Sequence, residues 1–207
     1  MKGEMAGGRL PGVSLLLALP ALVIYCLPAL AARLELDWRA VSGGEVWRIV
    51  TGHWTHVSLD HLLWDVAAFA ILATACELRE SCGRRRTLMT VGLAAVAIPI
   101  TLWLALPGMI RYRGLSGIDS ALFVLLAVTI LKEELAAGRR GRVWVGALAL
   151  AAFGAKLGFE AITGTALFTE ASGGAVPVPL AHLVGGLCGL AIAAMPYTPR
   201  RSPGPSR

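Results

Sequence analysis

The sequence predicts an all-α, polytopic membrane protein: six transmembrane helices packed as one bundle. Three observations carry that expectation. Only 15% of the 207 residues are charged and 56% are hydrophobic, where a soluble domain carries roughly 25% charge. The apolar residues fall in blocks close to the roughly 20 residues that cross a bilayer. The basic residues, although they bring the formal net charge to +6, collect in short segments between those blocks. That is a topology signal rather than a phosphate-binding face, so nucleic acid is not an expected partner. Residues 1–207 are expected to form a single membrane domain with short tails. Cys26, Cys76, Cys82 and Cys188 show no repeated spacing. They read as helix-packing residues rather than as a disulfide framework or a metal site.

Residues 1–12 are a short tail with Lys2 and Arg9. The first apolar block, 13–32, contains Pro20 and Pro28 and ends near Ala29-Leu30-Ala31, small residues of the kind found at signal cleavage sites. It exceeds the apolar core of a secretory signal, about 7–15 residues, and reads as a retained span. The longest polar connection, 33–60, holds Trp38, Trp47 and Trp54. Tryptophan favours the membrane–water interface, so this connection is expected to lie in the headgroup layer. Further spans are expected at 61–78 (with Asp65 and Glu77 inside it), 88–106, 116–131, 143–159 and 180–195, with Pro196 ending the last. No internal repeat is apparent. Arg84-Arg85-Arg86, then Arg139, Arg140 and Arg142, then Arg200 and Arg201 occupy alternate connections, on the same side as Lys2 and Arg9. Lys/Arg-rich loops stay cytoplasmic, so both termini are expected inside.

That topology starts spans two, four and six at one level near the outer face, where His61, Ser116 and His182 open them. Spans 116–131 and 180–195 have sixteen residues each. At 1.5 Å per residue they cover about 24 Å of a hydrocarbon core about 30 Å thick. Their outer ends are therefore expected to be sunken, where irregular backbone is tolerated only beside a water-filled cavity. Ser116 alone would serve simply as a helix cap. A base at the same depth makes it a nucleophile candidate, because a serine hydroxyl is weak until a hydrogen-bonded group takes its proton. His182, Gly185 and Gly189 share one helical face at i, i+3 and i+7. Small residues let transmembrane helices pack with backbones nearly touching, which would bring His182 against Ser116. N–H groups at the start of the fourth span and the His61 side chain are the expected oxyanion donors.

Trp47-Arg48, His56-x-x-x-x-His61-x-x-x-Asp65, Glu77, Gly114-x-Ser116-Gly117 and His182-x-x-Gly185-x-x-x-Gly189 resemble the rhomboid intramembrane serine proteases in order and spacing. The resemblance runs from Trp47 to the sixth span. It implies that Ser116 is the nucleophile and His182 the general base of a dyad. His61, with Gly114 and Leu115, would serve the oxyanion and the substrate; His56, Glu77, Trp47, Arg48, Gly185 and Gly189 would be supporting residues. It also implies cleavage of a transmembrane protein substrate within the bilayer, without a cofactor. The expected place is the inner membrane of a bacterium, with the site opening to the outer face. The compact form, Thr51-Gly52-His53 and the small loops are most similar to the rhombosortase subgroup. That subgroup is thought to process exported proteins with a C-terminal Gly-Gly motif, apolar helix and basic tail. One position departs from the pattern: Asp65 stands where rhomboids usually place an asparagine as oxyanion donor, and an ionised carboxylate only accepts. Buried, Asp65 would either keep a proton and donate, or pair with a histidine and take no part in the oxyanion site.

Other polar residues receive plainer readings. His53, His56 and His61 do not share one helical face, and no further ligands complete a zinc set. Asp119, one turn below Ser116, is a candidate third member of the catalytic group but is expected to pair with polar neighbours. Lys156 and Glu160, at i and i+4, are expected to form a structural intramembrane ion pair. Gly154 and Gly158 are expected to give the fifth span a packing face, and Gly173-Gly174 to mark a flexible turn. Two rivals to a protease are a non-catalytic rhomboid-like protein that binds membrane helices, which Asp65 favours, and a small transporter relaying through Asp65, Glu77 and Lys156. No inverted repeat supports the transporter.

Overall fold

The computed structural model describes residues 12–164 and 178–196. Lys2, Arg9, Gly173-Gly174, Arg200 and Arg201 lie outside the described residues. The fold is a polytopic helical bundle. Its elements are α1 (Gly12–Tyr25), α2 (Pro28–Leu34), β1 (Leu36–Asp37), α3 (Trp38–Ser42) and α4 (Arg48–Thr51), which runs into a 3-10 turn (Gly52–Trp54). Then come α5 (Leu59–Leu78), α6 (Gly83–Ala105), β2 (Arg111–Tyr112), α7 (Ser116–Ala136), α8 (Arg140–Thr163) and α9 (Pro179–Ala194). By length and composition α5, α6 and α8 each suffice to cross a membrane, and α1 with α2 counts as a fourth such segment if taken together.

The first apolar block is not straight. It bends by 116° between α1 and α2, because proline disfavours helical backbone at the residue before it, and Leu27 takes φ −124°, ψ 81° ahead of Pro28. Pro20 stays inside α1.

The fourth span is longer than its apolar run. α7 has 21 residues, about 31 Å, because Lys132, Glu133 and Glu134 are good helix formers with partners at that end. Lys132 Nζ donates to Ala193 O at 2.7 Å, Arg79 pairs with Glu133 at 3.0 Å, and Arg139 pairs with Glu134 at 2.5 Å. Of the two spans expected to be short, α9, with 16 residues, remains so, at about 24 Å. The other spans also extend past their apolar blocks. α5 begins at Leu59 because Ser58 Oγ caps it, accepting from His61 N at 3.2 Å.

α7 is the innermost helix, with every residue from Gly117 to Leu122 buried. α9 lies closest to it. A Cβ on Gly185 would stand 1.9 Å from Gly117 O, and one on Gly189 would stand 2.1 Å from Ala121 O. No side chain fits at either position unless the helices separate. Gly154 and Gly158 do not form the expected packing face, since a Cβ on either meets only open space. α8 approaches α7 at Gly146 instead, where a Cβ would lie 2.9 Å from Ala127 O. Within α8 only Gly146 and Glu160 are buried, while Trp144, Leu148 and Ile162 are exposed. Such an apolar face suits lipid.

The connection between α2 and α5 folds against the bundle. β1 pairs antiparallel with β2, Leu36 opposite Tyr112 and Asp37 opposite Arg111. Trp38 packs against Trp103 at 5.8 Å between ring centroids, and Trp54 Nε1 donates to Leu17 O at 2.7 Å. Arg48 is buried and donates to Ala32 O at 2.9 Å and Glu35 O at 3.0 Å, fastening the end of α2. Trp47 is exposed, its Nε1 3.3 Å from Arg33 O. Glu77 lies at the far end of α5, where it accepts from Ser14 N at 2.9 Å and Ser14 Oγ at 2.6 Å and pairs with Arg84 at 3.2 Å. It ties α1 to α5.

The glycine contacts yield a paired test. Gly185→Ala is expected to destabilise the protein by about 1–3 kcal/mol or more, the range for overpacking a tight interface. Gly154→Ala is expected to keep or slightly raise the melting temperature in detergent, because alanine is the better helix former and meets no clash. Equal melting temperatures for the two variants would contradict the α7–α9 packing.

Candidate active site

Ser116 is the first residue of α7. The N-cap position belongs to Leu115, with no side-chain cap bond. Its hydroxyl is therefore not used for capping, and Ser116 Oγ lies 3.1 Å from His182 Nε2. The turn that delivers it requires glycine. Gly114 has φ +108°, a conformation L side chains rarely adopt, and a Cβ there would meet Cε1 and Nε2 of His61 at 2.8 Å.

The strand before this turn is fastened by charge. Arg111 pairs with Asp37 at 3.3 Å and Glu35 at 3.8 Å, and Arg113 pairs with Glu35. His53 fastens the turn itself. Its Nδ1 lies 3.4 Å from Gly114 O and its Nε2 3.2 Å from Ala95 O, while its ring meets Tyr112 edge-on at 5.5 Å. Among the described residues no three His, Cys, Asp or Glu side chains are grouped to hold an ion.

His182 sits in the first turn of α9, which Pro179 opens. The ring is buried, and its second nitrogen is engaged. Nδ1 lies 2.7 Å from Glu160 Oε2 and 3.1 Å from Lys156 Nζ. Lys156 and Glu160 form the expected ion pair at 2.7 Å. The pair is not isolated, since its carboxylate also faces the histidine. Asp119 does not take that place. It is buried on α7, and its Oδ1 has no hydrogen-bond partner among the described residues.

Asp65 Oδ2 is the meeting point of the other polar groups. It accepts from Leu115 N at 2.8 Å and from Ser116 N at 3.2 Å, and Nε2 of both His56 and His61 lies 3.2 Å away. The expected oxyanion donors do converge on one spot, but the carboxylate oxygen occupies it. Of the two readings of Asp65, this arrangement follows pairing: toward the backbone and the histidines Oδ2 stands as the acceptor.

The site thus gathers His56, His61, Asp65, Gly114, Leu115, Ser116 and His182 at one end of the bundle, with Gly185 and Gly189 about one and two turns further along α9. Trp47 and Arg48 lie outside it, against the end of α2, and Glu77 lies at the opposite end of α5, bound to Ser14 and Arg84 rather than to the site. Sequence reasoning missed the contact of Glu160 with His182 and the place of His53. The signal for Glu160 was present, since a lysine and a carboxylate inside an apolar span rarely persist without a specific task. His53 gave no comparable signal.

His53 generates a prediction about pH. Burial pushes its imidazole down to about 4, against the two carbonyls, which favour the charged ring. Its folded pKa thus lies below the unfolded value of about 6.5, so stability is full above pH 6.5 and is lost as pH falls toward 4. The difference amounts to on the order of 3 kcal/mol. Melting temperature in detergent is expected to fall from pH 7 to pH 4.5, and His53→Gln, which keeps an amide donor, to flatten that slope. An unchanged slope in the variant would assign the loss to other groups.

The site and the bundle around it lie within residues 43–198, which match the family model described as the Rhomboid domain. No curated protein matches the chain. That one match takes in well over half of the chain, from the connection before α4 through α9, and it makes this protein a member of the rhomboid family.

Proposed function

We propose that the protein is an intramembrane serine endopeptidase in which Ser116 is the nucleophile and His182 the general base. The observation that carries this reading is the 3.1 Å contact between Ser116 Oγ and His182 Nε2 at the head of two tightly packed helices. Ser116 Oγ attacks the scissile carbonyl carbon while Nε2 takes the hydroxyl proton. The tetrahedral intermediate collapses as the imidazolium returns that proton to the leaving amine. A water, deprotonated by the same nitrogen, then hydrolyses the acyl-enzyme. No step calls for a cofactor.

The oxyanion forms beside Ser116 N and His61 and displaces Asp65 Oδ2 from the Ser116 N–H. Asp65 keeps the Leu115 N–H, whose bond of 2.8 Å is shorter than the 3.2 Å bond to Ser116 N. The substrate is a transmembrane segment that enters from the bilayer and unwinds near small residues. The rhombosortase-like features point to exported proteins with a Gly-Gly motif, apolar helix and basic tail. The protein resides in the inner membrane of a bacterium with both termini cytoplasmic. In support, Ser116 and His182 lie at the end of the bundle away from Arg84–Arg86 and Arg139–Arg142.

A second reading has one observation in its favour. A carboxylate on the Ser116 N–H would oppose an oxyanion, as in a non-catalytic rhomboid-like protein that only binds membrane helices. Co-expression with a tail-bearing reporter separates the two. Cleavage is expected from wild type and absent from Ser116→Ala and His182→Ala, and a fluorophosphonate is expected to label wild type at Ser116 alone. A folded wild type that neither cleaves nor labels would establish the non-catalytic reading. Asp65→Asn is expected to match or exceed wild-type cleavage, because its amide oxygen still accepts from Leu115 N and its NH2 donates. A loss beyond about tenfold, roughly 1.4 kcal/mol, would mean that the carboxylate charge itself is required.

A further inference from the structure

We propose that Glu160 is a positioning residue that selects the productive tautomer of His182, with Lys156 clamping its carboxylate. The inference rests on the reading of Ser116 and His182 as nucleophile and base.

Two groups converge on one ring nitrogen and demand opposite protonation. An ammonium has only donors. If Lys156 bonded the Nδ1 lone pair, the ring proton would sit on Nε2 and point at Ser116 Oγ. No base would then face the nucleophile. A carboxylate only accepts. Glu160 places the proton on Nδ1 and leaves the Nε2 lone pair facing Oγ at 3.1 Å. The distances favour the carboxylate: Glu160 Oε2 is 2.7 Å from Nδ1 and Lys156 Nζ is 3.1 Å. The lysine's own shorter contact, at 2.7 Å, is to Glu160 Oε1. One carboxylate therefore bridges ammonium and imidazole, and the lysine is drawn away from the lone pair it would block.

The setting makes this assignment consequential. Glu160 is 1% exposed on a helix whose other residues, Gly146 apart, are not buried. When His182 takes the serine proton, the Glu160 charge lies against the new imidazolium, and Lys156 partly offsets it. Around the ring, α7 brings Ser116 and, one turn on, Asp119, and β2 brings Tyr112, whose hydroxyl faces Gly117 on the same side as Ala181 O. α9 adds only Cys188, nearly two turns away, and α6 carries its arginines at the opposite end.

The test uses the full chain, purified in detergent, with 15N-labelled histidine. Nitrogen NMR, with the His182 signals identified by their absence in His182→Gln, is expected to place the wild-type proton on Nδ1. In Glu160→Ala it is expected to move to Nε2, and adding Lys156→Met is expected to return part of it. Fluorophosphonate labelling of Ser116 is expected to fall by on the order of 10²–10⁴ in Glu160→Ala, the scale of a misplaced tautomer, and to recover at least about tenfold in the double variant. A wild-type proton on Nε2, labelling of Glu160→Ala at the wild-type rate, or no gain on removing Lys156 would each overturn the proposal. Wild type that never labels, with the tautomer read as expected, would overturn the protease reading alone. Should Glu160→Ala fail to fold, Lys156→Met in the wild-type background is expected to keep the proton on Nδ1, and a move to Nε2 would be fatal.

Discussion

How closely α9 can lie on α7 governs the rest of the site. Between helices in lipid there is no hydrophobic force to spend, so association relies on contact distance and polar bonds. Gly185 and Gly189 remove the only atoms that would keep the backbones apart, and the missing Cβ positions fall about 2 Å from α7 carbonyls. That approach brings a ring at the head of α9 within 3.1 Å of a hydroxyl at the head of α7. Both groups stand on the first turn of a helix rather than on a long loop, and rigid elements hold such geometry more tightly. α7 is also the most enclosed helix, so Ser116 is fixed to the part of the molecule least free to move.

The charges around this contact arrive already compensated. An uncompensated charge away from water costs several kcal/mol, and three carboxylates here have at least one partner from another element. Asp65 meets two histidines and two N–H groups, Glu35 meets two arginines, and Glu160 meets Lys156 and His182. The last of these has a structural consequence. α8 lies at the edge of the bundle, exposing most of its apolar face, and yet it delivers a carboxylate to the centre. Its position relative to α9 thereby becomes a condition on the protonation of His182, which α7 and α9 alone do not meet.

Much of this was legible in the chain because it is local. Block length and charge placement gave the bundle, Gly114-Leu115-Ser116-Gly117 gave the turn, and the spacing of His182, Gly185 and Gly189 gave the face that packs on α7. What failed was non-local. Gly154 and Gly158 have the same spacing as Gly185 and Gly189 but face open space, because spacing defines a face and not its neighbour. Glu160 was legible as half of an i, i+4 pair, whereas its contact with His182 depends on how α8 crosses α9. His53 reaches a carbonyl 61 positions away, and no local pattern announces such a bond. The length of α7 failed for a different reason. Hydropathy ended the helix where its apolar run ended, although lysine and glutamate continue a helix readily wherever partners await them.

Asp65 shows how an acidic residue is accommodated beside the backbone N–H groups on which the proposed reaction would place an oxyanion. Its Oδ2 holds two adjacent N–H groups unequally, Leu115 at 2.8 Å and Ser116 at 3.2 Å. In the proposed reaction the longer bond is the one an incoming oxyanion replaces, so the displacement acts on the weaker of the two. The shorter bond keeps Leu115, and with it the turn, in place during the exchange. The two histidines beside Oδ2 matter at the same moment, since an N–H donated from either ring offsets the carboxylate and lessens its repulsion of the new negative charge. An asparagine would avoid that repulsion outright but would bind the backbone N–H groups less strongly, because hydrogen bonds to an ionised acceptor are roughly twice as strong. On the proposed reaction, aspartate at this position exchanges ease of oxyanion formation for a more firmly held turn ahead of Ser116.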